Sequence, residues 1–169
     1  MAQRFLVKQS SILQVTIALS ALAMGILVYL MDRQPESVYF FPHWLSSPTH
    51  TGLFFGAVGN YLPTFIHVYV FIILTVVVMA PKAGRMEYIC VFWLVVDSLF
   101  ELGQISIISQ WIAAITPDWF SGIPVLENTA AYFTSGTFDY LDIFSIVIGT
   151  IAAYLTHRYF TNVVRSETV

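Results

Sequence analysis

The stretch VDSLFELGQ, Val96 to Gln104, decides how this chain is read. It lies inside an apolar run, Tyr88 to Ser109, that is long enough to cross a bilayer, yet it carries Asp97, Glu101 and Gln104. Ionisable groups are costly in a hydrocarbon layer, and those that occur there turn toward a protein interior or a site. In a helix the three residues fall at i, i+4 and i+7, within an arc of about 60°, so they form one polar stripe.

The surrounding sequence makes that run a membrane span. Of 169 residues, 57% are hydrophobic and 10% charged, with a mean hydropathy of +0.76. A soluble domain would carry charge at about a quarter of its positions. Runs long enough to span a bilayer, which takes ~20 residues, fall at approximately 11–31, 61–80, 88–109 and 138–157. The expected fold is all-α: a polytopic, four-transmembrane-helix bundle forming a single membrane domain over residues 1–169.

Orientation follows from the basic residues. Arg4 and Lys8 precede the first helix, Lys82 and Arg85 separate the second from the third, Arg158 and Arg165 follow the fourth, and only Arg33 lies on the other side. Cytoplasmic segments carry the excess of Lys and Arg, so a multi-pass protein of the cell membrane is expected, with both termini cytoplasmic and two longer loops, roughly 32–60 and 110–137, outside. Ala21-Leu22-Ala23 mimics a signal-peptide cleavage site, but MGILVYLM extends the apolar run beyond it, which predicts an uncleaved anchor. The outer loops exceed what packed helices need. Within them VYFFPHWL, TGLFFG, WIAA, DWF and AAYF mix aromatic residues with Pro and Gly, a composition suited to interfacial segments in the headgroup layer, either as an anchoring belt or as a lid.

Other classes fall away. Seven Lys and Arg spread over four segments, in a chain of net charge -3, form no basic face, so no nucleic acid is expected. Cys90 stands alone in an apolar run, which excludes disulfides and Cys-based zinc sites within one chain.

The remaining polar residues converge in depth. The fourth helix opens with Asp139 and Asp142, and Asp142, Gly149 and Ala153 share one face, with Gly149 and Ala153 permitting close approach of a neighbour. His67 follows Pro63 and Thr64 near the outer end of the second helix. At ~1.5 Å per residue, His67, Glu101, Gln104, Asp139 and Asp142 all lie within the outer ~12 Å of the span, and Asp97 lies deeper. The candidate ligand-binding set is therefore His67, Asp97, Glu101, Gln104, Asp139 and Asp142, with no catalytic residue and no cofactor assigned. Four of them have an ordinary structural role open to them: an interhelical hydrogen bond for His67, an N-cap for Asp139, a backbone partner for Gln104 and a neutral hydrogen-bonding role for Asp97. Glu101 and Asp142 read first as functional, as intramembrane carboxylates do. His43 and His50 raise a metal site with His67 and the carboxylates, but the spacing fits no ligand signature and no metal is assigned.

Three elements in order carry a family resemblance: IHVYVF around His67, Glu101-Leu-Gly-Gln104, and GTFDYLDIFSIVIGTIAAYL with Asp139, Asp142, Gly149 and Ala153. Together they resemble the VanZ-like family of small bacterial membrane proteins over about residues 60–157. Where that family often has an Arg before the first Asp and an Asn four positions after the second, this chain has Ser135-Gly136-Thr137 and Ile146. The resemblance implies a bacterial inner-membrane protein of the cell envelope, linked to glycopeptide resistance.

The function expected is a non-enzymatic envelope protein that binds a lipid-linked cell-envelope component or glycopeptide-type antibiotic target through an outer-leaflet polar pocket. Membrane lipids and a lipid-linked envelope precursor are the expected partners. The alternatives are an acid–base enzyme acting on a lipid headgroup through Glu101, Asp142 and His67, a small proton-coupled carrier working as a homo-oligomer, and an accessory subunit of a larger membrane complex.

Overall fold

A computed structural model of the chain describes residues 2–32, 54–79 and 85–167. His43, His50 and most of the first long loop lie outside the described residues, as does Lys82. Six α-helices are described: α1 (Ala2–Asp32), α2 (Val58–Met79), α3 (Met86–Leu102), α4 (Ser106–Ile115), α5 (Thr129–Ser135) and α6 (Tyr140–Ser166). Two short 3₁₀ turns, Asp118–Phe120 and Leu126–Asn128, connect α4 to α5, and there is no strand among the described residues.

The chain is all-helical, and α1, α2 and α6 are each long and apolar enough to cross a membrane. The fourth crossing expected from 88–109 is not one straight helix. α3 stops at Leu102, and α4 leaves at 94° to it, the two qualifying as a span only as a bent pair. The cause is local. The last turn of α3 closes with short bonds, from the Gln104 N–H to the Glu101 carbonyl at 3.0 Å and from the Ile105 N–H to the Leu102 carbonyl at 3.1 Å. Ile105 is then extended, which aims the chain sideways. Gly103 sits at the bend in ordinary right-handed geometry. Its missing side chain matters for space instead, because a Cβ there would lie 2.5 Å from the Phe133 ring of α5.

α2 is the central element, packing on α1, α3 and α6. Ile66, Val68, Ile72, Ile73 and Val76 supply its buried side and the middle of the core. On the α6 side, a Cβ at Gly149 would lie 2.5 Å from Val68 Cγ1 and 2.7 Å from the Phe65 carbonyl oxygen, and Ala153, one turn on, is fully buried. Small residues thus bring two backbones together, the device by which membrane helices associate when lipid offers no hydrophobic drive between them. The outward faces are apolar: Phe92 and Leu99 on α3 and Phe144, Ile151 and Leu155 on α6 are all exposed, as suits surfaces turned to lipid.

The helices alternate in direction. The Asp32 carboxylate at the end of α1 accepts the Phe54 and Phe55 N–H groups at 2.7 and 3.0 Å, fixing the entry to α2. One end of the molecule therefore gathers the end of α1, the start of α2, the end of α3 and the start of α6.

Candidate functional site

At that shared end, hydrogen bonds run from helix to helix. Asp139 is extended at the N-cap of α6, and its Oδ1 accepts the Leu141 N–H at 2.9 Å, the usual service of a cap to an otherwise unpaired donor. Its Oδ2 accepts the Tyr61 hydroxyl of α2 at 3.2 Å, and its own N–H donates to Glu101 Oε1 at 2.9 Å. The other Glu101 oxygen accepts from Gln104 Nε2 at 3.4 Å. Tyr61, Asp139, Glu101 and Gln104 form one chain of contacts tying α2, α3, α6 and the α3–α4 bend.

Beside it, Thr64 Oγ1 donates to Asp142 Oδ1 at 2.7 Å. Tyr61 and Thr64 are three residues apart on α2, so one face of that helix meets both aspartates of α6. Glu101 is 7% exposed, buried where the bend folds over the end of α3. Its carboxylate interacts with those of Asp139 and Asp142, so three acidic groups share a small volume.

His67 and Asp97 form a second site. His67 Nδ1 lies 3.3 Å from Asp97 Oδ1, with the imidazole 55% exposed and Asp97 only 6%. Asp97 Oδ2 is buried and has no hydrogen-bond partner among the described residues. The ring is held edge-on to Phe71 at 4.4 Å, and Phe71 stacks on Trp93 at 4.7 Å, whose indole N–H donates to Thr75 at 2.9 Å. His67 is thus the partner of Asp97, and no bond joins it to Glu101 or Asp142 among those described.

The six residues singled out in the sequence are therefore divided: Glu101, Gln104, Asp139 and Asp142 gather at the helix ends, and His67 with Asp97 forms a separate pair deeper in the span. Gln104 is a correction in conformation. It lies past the end of α3, where the ladder has tightened, and so is not on the helical stripe, although its side chain still returns to Glu101. Among the described residues no three His, Cys, Asp or Glu side chains converge as metal ligands.

Sequence reading missed Tyr61 as a site residue and named Thr64 only as a flank. Their signal was present, since Tyr61, Thr64 and His67 recur every three residues along one side of α2. The bent α4 also escaped it. Ile107, Trp111 and Ile115 project from one face of α4, 81%, 64% and 54% exposed, while Ser106 and Gln110 lie on another. An apolar face beside a polar one is the pattern of a helix suited to a membrane interface. On α5, burial pushes the Tyr132 phenol up to about 12, with Tyr29 and Glu101 adding to the effect, so this hydroxyl stays protonated.

Farther along the bundle, away from the cluster, there are other polar contacts. His157 Nδ1 lies 3.0 Å from Gln14 Oε1, Tyr69 pairs with Thr156 at 3.3 Å, and Arg158 donates to Tyr154 at 3.0 Å. Gln14 is 4% exposed, so its bond to His157 fastens α1 to α6. No family model, curated protein or solved structure matches the chain.

Proposed function

We propose that the chain is a VanZ-like protein of the bacterial cell envelope: a four-helix membrane bundle, both termini cytoplasmic, that binds a lipid-linked envelope component or the glycopeptide target carried on it. Binding takes place at the outer polar cluster of Glu101, Gln104, Asp139 and Asp142, without chemical turnover. The observation that carries this reading is the run of contacts Tyr61–Asp139–Glu101–Gln104, with Thr64–Asp142 beside it. Carboxylates held by donors from several helices form a preorganised acceptor array, which suits a ligand rich in hydroxyl, amide or ammonium donors.

The charge distribution supports the orientation. Lys8, Arg85, Arg158 and Arg165 belong to the end opposite the cluster, and Asp32, Glu101, Asp139 and Asp142 to the cluster end. The basic end faces the cytoplasm and the acidic end faces out. The exposed Ile107, Trp111 and Ile115 would seat α4 in the outer headgroup layer beside the cluster.

The test is to incubate the purified protein with an extract of envelope lipids. A lipid-linked species retained unchanged by the wild type and lost from Asp142→Asn supports binding. A new chemical species in the mixture would replace the binder with an enzyme. His67 and Asp97 favour a second reading, a proton-coupled carrier, because a buried carboxylate beside an exposed imidazole can exchange a proton. Proton flux in liposomes that disappears in Asp97→Asn would establish the carrier.

A further inference from the structure

A groove of about 440 Å³ runs between α4 and the junction of α5 with α6, at the same end of the molecule as the carboxylate cluster. Gln104, Ser106, Ser109 and Gln110 form one wall, and Thr134 and Thr137 face them. No lining residue is ionisable. Amide and hydroxyl side chains share the lining with Ile105 and one aromatic ring, Phe138, and more of its surface is apolar than polar.

The polar groups are sorted into donors and acceptors. Ser109 Oγ donates inward to the Ser106 carbonyl at 3.1 Å, and Thr134 Oγ1 donates to the Ala130 carbonyl at 2.8 Å. Each hydroxyl therefore has its proton engaged and turns lone pairs to other partners. The Gln110 amide and the Ser106 hydroxyl, both exposed, supply donors. Gln104 is fixed from two sides: its Nε2 donates to Glu101, and Gly136 packs against it so closely that a Cβ at Gly136 would collide with its amide. Gln104 is thus held in place before any ligand arrives.

Such a lining discriminates among lipid headgroups. Phosphate recognition uses Arg, Lys or clustered N–H groups, and this groove has no cation. A neutral polyol, which donates and accepts at every hydroxyl, complements mixed amide and hydroxyl side chains, and the ring of Phe138 offers an apolar surface to a sugar's C–H face. The outward apolar residues of α4, Ile107, Trp111 and Ile115, set the groove at the depth of headgroups.

We infer that this groove holds the uncharged sugar headgroup of a membrane glycolipid. This rests on the envelope-lipid reading above and names the headgroup class.

The experiment places the full-length protein in phosphatidylcholine nanodiscs doped with either monoglucosyl diacylglycerol or phosphatidylglycerol, and counts retained lipid by native mass spectrometry. The wild type retains the glucosyl lipid about tenfold over phosphatidylglycerol, a difference of ~1.4 kcal/mol. Gln110→Leu combined with Thr134→Val, both at exposed positions, lowers that retention about tenfold and leaves phosphatidylglycerol unchanged. Equal retention of the two lipids, or indifference to the double substitution, overturns the proposal. So does displacement of the glucosyl lipid by an equal concentration of free glucose, which would make the ligand a soluble sugar. An envelope lipid that is lost in Glu101→Gln but kept in the groove variant leaves the cluster as a binding site and removes the groove from it.

Discussion

At Asp97 one carboxylate oxygen meets His67 at 3.3 Å, while the other is buried with no hydrogen-bond partner among the described residues. Asp97 is the buried member and His67 the exposed one, so removing His67 alone leaves Asp97 its desolvation penalty, whereas removing both does not. His67→Leu should therefore destabilise the protein by ~1 kcal/mol, the exposed imidazole being screened by its surroundings, while His67→Leu with Asp97→Leu should be close to neutral. Thermal unfolding of the three variants in detergent measures the coupling, and strictly additive losses would show that the pair does not interact. Glu101 poses a different question, because one of its oxygens satisfies the Asp139 N–H at the start of α6. Glu101→Gln keeps an acceptor there and should unfold near the wild-type temperature. Glu101→Leu orphans that donor and should cost ~1–3 kcal/mol; equal melting of the two variants would contradict a structural role for the bond. These carboxylates were legible in the sequence because charge in an apolar run has few explanations. Tyr61 and Thr64 were less so, since a phenol and a hydroxyl are ordinary on a membrane helix until the partner helix is known.

Among the elements, the contact of α2 with α6 depends on the absence of a side chain at Gly149. A Cβ there would meet Val68 Cγ1, which can move, and the Phe65 carbonyl oxygen, which is backbone and cannot move freely. Gly149→Ala should thus destabilise by ~1–3 kcal/mol, and adding Val68→Ala should recover only part of the loss, because the backbone clash persists. Full recovery in the double variant, followed by denaturation in detergent, would mean that the helices can separate. The Gly149–Ala153 spacing announced this contact in advance, since small residues four apart have little other use in a membrane helix. The break after α3 was harder to read. Glycine is tolerated within membrane helices, Gly103 takes no left-handed turn, and its reason for being there is the Phe133 ring, 30 residues away in sequence. Local pattern therefore ran the helix through Gln104 to Ser109, whereas a tightened last turn and an extended Ile105 turn the chain by 94°.

For the molecule as a whole, the separation of charge between its ends gives a testable orientation. Single cysteines at Ser121 and Ser166, in a Cys90→Ala background, should label from outside in the first case and only after permeabilisation in the second. The reverse pattern would turn the acidic end toward the cytoplasm. The helical class and the membrane character followed from composition, which needs no partner to be read, whereas the meeting of Tyr61, Glu101 and Asp139 depends on residues up to 78 positions apart. The central claim is that the acidic end holds an envelope lipid, and lipid mass spectrometry of protein extracted in mild detergent tests it most directly. The wild type should carry one lipid-linked envelope species near equimolar amount, absent from Glu101→Gln and Asp142→Asn proteins that remain folded. Identical lipid profiles from all three proteins would contradict the claim and reduce the cluster to a fastening between helices.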